Sequence, residues 1–277
     1  MTNTPKPDIP GADAEGADRQ YVTALARGLE ILRCFSASRP ELGTTEIAQL
    51  TGLPQPTVWR LCHTLIKCGY LAPSPAKDKL RIGAGVLSLG YEAIGTIDIG
   101  DLAQREMQTI ADDFQAALSL SVPDRLDMLI VKRAQSNSRL VVNLQVGSRL
   151  PIAASTMGWA YLAVIPAPQR AQLVQRLEAH YGKRDWSAMW QKASAAIKNY
   201  EKTGYTLSIR AYDPDINAIA IPIQPDHGGQ FFAMACGAPA AAIPVKTFQA
   251  EIAPRLMRVG EIIRSALSHS GAALKGR

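Results

Sequence analysis

The residues best suited to chemistry in this chain are basic and polar side chains spaced along one helix. In the stretch TTEIAQLTGLPQPTVWRLCHTLIK, residues 44–67, Arg60, His63 and Lys67 share one face at helical spacing. Gln55, Thr57 and Trp59 crowd the first turn of the same helix. Val58, Leu61 and Leu65 fall on the opposite side and should face a core. Such a helix can put hydrogen-bond donors and a cation against the base edges and phosphates of a DNA major groove. The plainer alternative is a helical hairpin with a solvated face.

A second helix must hold the first one at an angle. Thr44 or Thr45 is placed to cap it, with the hydroxyl accepting an unpaired backbone N–H. Gly52 suits the corner, and Pro54 and Pro56 suit the opening of the next helix, where a missing N–H costs little. Upstream, TALARGLEILRCF places Leu25, Leu29, Leu32 and Phe35 on one stripe, a third helix able to bury the backs of the other two. Downstream, APSPAKDKLRIG reads as a hairpin between two short strands, carrying Lys77, Lys79 and Arg81. Three helices and a basic hairpin make a winged helix-turn-helix over residues 20–82. From Gly52 to Arg81 five bases face Asp78 alone, a net +4 out of +6 for the whole chain. Most of the excess positive charge therefore lies where phosphates would sit.

At 277 residues and 47% apolar, the chain has room for two cores at about 150 residues per domain. Residues 1–19 are polar and acidic with Pro and Gly, the composition of a disordered tail, and lack the basic and apolar regions of a signal peptide. No run of about 18 apolar residues suggests a membrane span. The four cysteines, Cys34, Cys62, Cys68 and Cys236, form no CxxC pair, which speaks against a zinc ribbon and for a reduced, cytoplasmic setting. His63, His180, His227 and His269 form no HExxH, and GxSxG and P-loop signatures are missing, so no catalytic residue, metal site or cofactor is expected. Gly83-Ala84-Gly85 lacks the third glycine of a nucleotide loop.

Residues 83–98, with Val86, Leu89 and Ile94, read as a linker helix. Residues 99–277 read as α+β. DLAQREMQTIADDFQ is a helix, and ALSLSV, LDMLIVKRA and RLVVNLQ are strands of an antiparallel meander. A helix starts at about Ser155, and PQRAQLVQRLEAHY and DWSAMWQKASAAIKNYEKTG add further helices, with Gly204 a C-cap. NAIAIPIQ and QFFAMACG are late strands joined by a Pro-Asp-His-Gly-Gly turn, and a last helix runs from about Val245 to Ser268. A small anion fits best at the start of the helix after Pro151. Ser155 can cap it and leave the amides of Thr156, Met157 and Gly158 outward. Ala218, Ala220, Ala235 and Cys236 are small enough to leave a cavity on the opposing wall.

Four stretches, TALARGLEIL, TTEIAQLTGLPQPTVWRLCHTLIKCGYL, VGSRLPIAASTMGWAYLA and NAIAIPI, together resemble regulators of the isocitrate-lyase-repressor (IclR) type over roughly residues 20–270. The resemblance implies a winged helix followed by a GAF-like effector domain with a mainly antiparallel sheet flanked by helices. It implies homodimers, often paired into tetramers, on palindromic double-stranded operators of catabolic operons, and small organic acids as effectors. Its pocket residues carry over to Ser155, Thr156, Met157, Gly158, Ala218, Ala235 and Cys236. Its DNA contacts carry over to Gln55, Pro56, Thr57, Trp59 and Arg60. Two departures stand out: Trp59 where the family usually has histidine, and Trp159 where it usually has lysine, the latter at the expected pocket rim. Ala218 replaces a common cysteine, which leans the reading toward an aromatic carboxylate. The rival readings are an enzyme with a fused recognition module, using Cys236 or Ser155 as nucleophile, and a non-specific architectural DNA-binding protein.

Overall fold

A computed structural model describes residues 20–137, 144–225 and 230–275, with side chains to Ser268. The expected tail at 1–19, most of the RLVVNLQ strand, and His227 with its turn lie outside the described residues, as does the side chain of His269. The chain divides at Ile97/Asp98 into two compact units.

The first unit runs α1 (Thr23–Arg33), β1 (Glu41–Leu42), α2 (Thr44–Thr51), α3 (Gln55–Lys67), β2 (Leu71–Pro73), β3 (Leu80–Ile82) and α4 (Ala84–Gly95). Its strands form an antiparallel sheet in the order β1-β3-β2, so a third strand joins the two expected in the hairpin. Ile31, Cys34, Leu42, Ile47, Val58, Cys62 and Leu71 make the core, with Leu61 and Leu65 partly buried against it. The expected α1 stripe is rotated. Gly28 and Ile31 are buried, while Leu25 and Leu29 are 63% and 51% exposed. Helix α1 is apolar on two sides, and spacing alone does not say which one meets α2 and α3. Helix α4 buries no residue at all, and Leu87, Leu89 and Tyr91 are exposed. Gly83 and Gly85 pack on the Gly69-Tyr70 turn. A Cβ at Gly83 would lie 2.3 Å from the Gly69 carbonyl oxygen, and the Gly85 N–H donates to that oxygen at 3.0 Å.

The second unit runs α5 (Asp101–Asp113), β4 (Ala117–Asp124), β5 (Asp127–Gln135), β6 (Arg149–Pro151), α6 (Thr156–Val164), α7 (Ala167–Thr203), β7 (Thr206–Ile209), β8 (Ile216–Ile223), β9 (Phe232–Pro239), α8 (Val245–Thr247), a π-helical turn (Phe248–Ile252) and α9 (Ala253–Lys275). Helix α7 breaks at Gly182 (φ 78°), and Gly204 (φ 76°) closes it in the left-handed region. The six strands form one antiparallel sheet in the order β6-β5-β4-β9-β8-β7. Alternation gives the sheet two unlike faces. Leu118, Leu120, Ile219, Ile221, Met234 and Cys236 lie on the face packed by α5 and α9. The approach there is close: a Cβ at Gly260 of α9 would sit 2.6 Å from Ile221 Cδ1. The other face carries Ala117, Ser119, Ser121, Ala218, Ala220, Ala233 and Ala235, and α6 crosses it at the β7–β9 side.

Candidate functional sites

The helix-turn-helix corner is fixed by local hydrogen bonds. Gly43, not Thr44 or Thr45, holds the N-cap of α2, and the Glu46 carboxylate accepts the Gly43 N–H at 2.7 Å. Accepting that bond holds the Glu46 carboxyl below its ordinary pKa, with Lys79 adding to the effect. Gly52 closes α2 at φ 72°. Thr51 Oγ1 donates to the Ile47 carbonyl at 2.8 Å and accepts the Leu53 N–H at 3.3 Å. Pro54 caps α3 with Pro56 in its first turn. The Gln55 amide nitrogen donates to Thr45 Oγ1 at 3.0 Å, so the displaced threonine hydroxyl sets the first residue of α3. Pro56, Trp59, Arg60, His63 and Lys67 are exposed on α3, and Thr57 is half-buried. The Trp59 and His63 rings stack with centroids 5.6 Å apart and planes 15° apart.

The β2–β3 hairpin turns at Asp78 (φ 59°). Among the described residues Arg60, Lys67, Lys77 and Arg81 form no ion pair, whereas Lys79 lies 3.6 Å from the Glu46 carboxylate. The Lys79 charge is therefore shared with α2, whereas the charges of Lys77 and Arg81 are unpaired among the described residues.

The second unit holds a cavity of about 300 Å³ between its small-residue face and the start of α6. Register explains why it is open. Arg133, Ser119, Ala235, Ala220 and Thr206 follow one another across five strands, with Gln135, Ala117, Gly237, Ala218 and Ser208 in the next row. Few of these fill space, and the larger Leu144, Leu150 and Ile216 line the walls. Arg133 enters from β5, its Nη1 donating to Ser119 Oγ at 2.8 Å and its Nε to Gln135 Oε1 at 3.1 Å. Burial lowers the pKa of its guanidinium. Ser208 lines the cavity, is 4% exposed, and its hydroxyl has no partner among the described residues. Tyr212 and Asp213 line it from the loop after β7. Burial, then the charges of Asp127 and Asp213, raise the Tyr212 pKa.

Ser155 caps α6 as its sequence suggests, its Oγ accepting the Gly158 N–H at 3.1 Å. That bond removes Gly158 from the three amides expected to point outward. The Thr156 and Met157 amides have no acceptor among the described residues. Ser155, Thr156, Met157, Ala218 and Ala235 are brought together at the cavity; Gly158 and Cys236 are not among its lining. Gly158 serves packing: a Cβ there would lie 2.3 Å from the Ile152 backbone. Cys236 faces α5 and α9 because it alternates with Ala235, and complete burial pushes its thiol up to about 12. Trp159 is no rim residue. It is buried against Ala193 and Ala196 and donates its Nε1–H to the Ala153 carbonyl at 2.9 Å. Ser119, Arg133, Ser208, Tyr212 and Asp213 escape the sequence reading because their convergence depends on strand pairing. Alternation in ALSLSV places Ser119 on the polar face of its strand, the one signal available.

Among the described residues no group of three or more His, Cys, Asp or Glu could hold a metal ion, and no helix is long and apolar enough to cross a membrane. Comparison with known proteins gives a consistent result. The IclR helix-turn-helix domain model matches residues 24–75, and the bacterial transcriptional regulator IclR C-terminal model matches residues 91–261. The HTH-type transcriptional regulator TsaQ1/TsaQ2 of Comamonas testosteroni is 30% identical over 248 residues, covering 89% of this chain and 88% of that protein. A crystal structure of an IclR family transcriptional regulator from Brucella abortus superposes with a TM-score of 0.84 at 36% identity, over 92% of this chain and 96% of that one. An IclR homologue from Microbacterium hydrocarbonoxydans, complexed with 4-hydroxybenzoate, shares the fold at a TM-score of 0.66 and 18% identity, over 88% and 98% of the two chains. With both halves matched in order, the chain belongs to the IclR family of bacterial transcriptional regulators, as a DNA-binding regulator and not an enzyme.

Proposed function

We propose that this regulator senses a small aromatic carboxylate in the cavity of its second unit and changes its hold on a palindromic operator in response. The observation that carries this reading is the pairing of Arg133 with the open Thr156 and Met157 amides around a roughly 300 Å³ space. A guanidinium and a helix N-terminus both favour an anion. Leu144, Leu150 and Ile216 give a ring apolar walls, and the Ala218 and Ala235 floor leaves room for it. The complex of the Microbacterium homologue with 4-hydroxybenzoate is a precedent within the fold. On the DNA side, Gln55 and Thr57 read base edges, Arg60 holds a guanine edge or a phosphate, and the wing holds phosphates through Lys77 and Arg81.

A homodimer on the two half-sites fits the apolar residues left uncovered on α1 and α4, including Leu25, Leu29, Leu87 and Tyr91. The setting is cytoplasmic, where operator and catabolic acids meet. The test is calorimetric titration with benzoate, 4-hydroxybenzoate, pyruvate and the neutral phenol. The aromatic acids should bind, and Arg133→Gln should weaken them at least tenfold, the equivalent of about 1.5 kcal/mol for a charge-assisted hydrogen bond. Phenol should be indifferent to the substitution. Equal binding of the acids by wild type and variant would overturn the reading.

A further inference from the structure

We propose that Trp59 reads the C5-methyl group of a thymine in the major groove. This rests on α3 being the recognition helix and names the base feature that its first turns select. Trp59 is 59% exposed on α3, beside Arg60, with Lys67 two turns further on. Neither cation has an ion-pair partner among the described residues. An apolar protein partner covering the indole would have to strip water from both charges without return. A polyanion covers ring and charges together.

The ring is also held in place. His63, one turn along, stacks on one indole face at 5.6 Å and 15°, so the side chain enters the complex with part of its rotamer freedom already spent. More than half of the Trp59 surface remains exposed. In the major groove each base pair displays hydrogen-bonding atoms, and the thymine methyl is the one apolar group among them. An indole without a hydrogen-bond partner in the described residues, placed at the reading end of the helix, matches that group. The Gln55–Thr45 bond beside it holds a polar reader next to the apolar one.

The experiment uses the full chain and a duplex enriched from a random pool by repeated binding and recovery. Each thymine of that duplex is replaced in turn by deoxyuridine, which removes only the methyl group, and affinity is read by fluorescence anisotropy at fixed salt. Wild type should lose about fourfold at one thymine of each half-site, the value of one buried methyl-sized group. Trp59→Ala should show no loss on that exchange, and Trp59→Phe should keep most of it. Indifference of wild type to uracil at every position overturns the proposal, as does an undiminished penalty in Trp59→Ala. If Trp59→Phe weakens the parent duplex as much as Trp59→Ala with no uracil penalty, the indole N–H is the reader and the methyl assignment is wrong. Failure to enrich any sequence would instead remove the recognition-helix reading on which the proposal rests.

Discussion

Gly158→Ala should destabilise the second unit severely, although it adds a single methyl group to a helix. The added Cβ would lie 2.3 Å from both the Cα and the carbonyl oxygen of Ile152, more than 1 Å inside ordinary contact. Neither side can give way cheaply. Ile152 is fully buried, and its N–H is bound to the Leu126 carbonyl at 2.9 Å. Helix α6 is pinned by its Ser155 cap and by Thr206 Oγ1, which donates to the Thr156 carbonyl at 2.8 Å. Backbone against backbone puts the cost near the top of the overpacking range, about 3 kcal/mol. For a unit of this size that is a fall in Tm of about 6–12 °C. Tryptophan fluorescence during thermal unfolding is the assay, since Trp159, Trp186 and Trp190 lie in this unit and Trp59 alone in the other. Gly28→Ala is the control: it lies inside α1 with nothing beyond its chain neighbours and its own helix backbone within 4 Å of the added Cβ, so it should be neutral or stabilising by up to about 1 kcal/mol. A Gly158→Ala protein melting with wild type would refute the view that Gly158 exists for helix packing.

Other consequences can be measured directly. Burial pushes Cys34 and Cys62 up to about 11 and Cys236 to about 12, and Cys68 alone is exposed, so Ellman's reagent at pH 8 should titrate one thiol in the native chain and four after denaturation. The unfolded thiols ionise near 9.0 and the folded ones later, so the unfolded chain releases its protons first; stability from this source is complete below pH 9 and should fall as pH rises through 9 to 12. Flat stability across that window, or four fast thiols, would contradict the burial of these residues. Lys77→Ala should flatten the slope of log affinity against log salt by about 1 unit, whereas Lys79→Ala, already shared with Glu46, should flatten it less. An equal effect of the two would mean that the ion pair opens on DNA. If the proposed homodimer packs through the uncovered α4, Leu87→Lys with Tyr91→Lys should yield monomers in sedimentation where wild type does not; an unchanged mass would count against α4 as the contact.

The DNA-reading unit was legible because its signals are local. Gly52, Pro54 and Pro56 fix a corner through their own backbone preferences, and Val58 with Leu61 and Leu65 shows the buried side of α3 at helical spacing. Where a choice depended on a distant neighbour, the sequence was ambiguous. Glu46 reaches back to Gly43 and displaces the threonines from the cap, and α1 offers two apolar sides of which the inner one carries Gly28 and Ile31. In the effector unit the alternation of β4 separates Ser119 from Leu118, yet nothing in it says that Arg133 lies opposite. The bulge between Leu120 and Ser121 resets that register. Strand β7 is four residues long and follows a helix cap, too short for period-two alternation to stand out. Ala235 and Cys236 are equally small. Only the sheet, with α6 on one face and α9 on the other, makes the first a lining residue and the second core.

Operator recognition by this chain is tested most directly by a nuclease footprint of the purified protein on the DNA upstream of its own gene, at about 0.15 M salt with excess competitor DNA. A discrete protected segment with inverted symmetry is expected, lost in Arg60→Ala and altered in extent or affinity by an aromatic carboxylate. Uniform or absent protection of that DNA, unchanged when the carboxylates are added, would contradict operator recognition through α3.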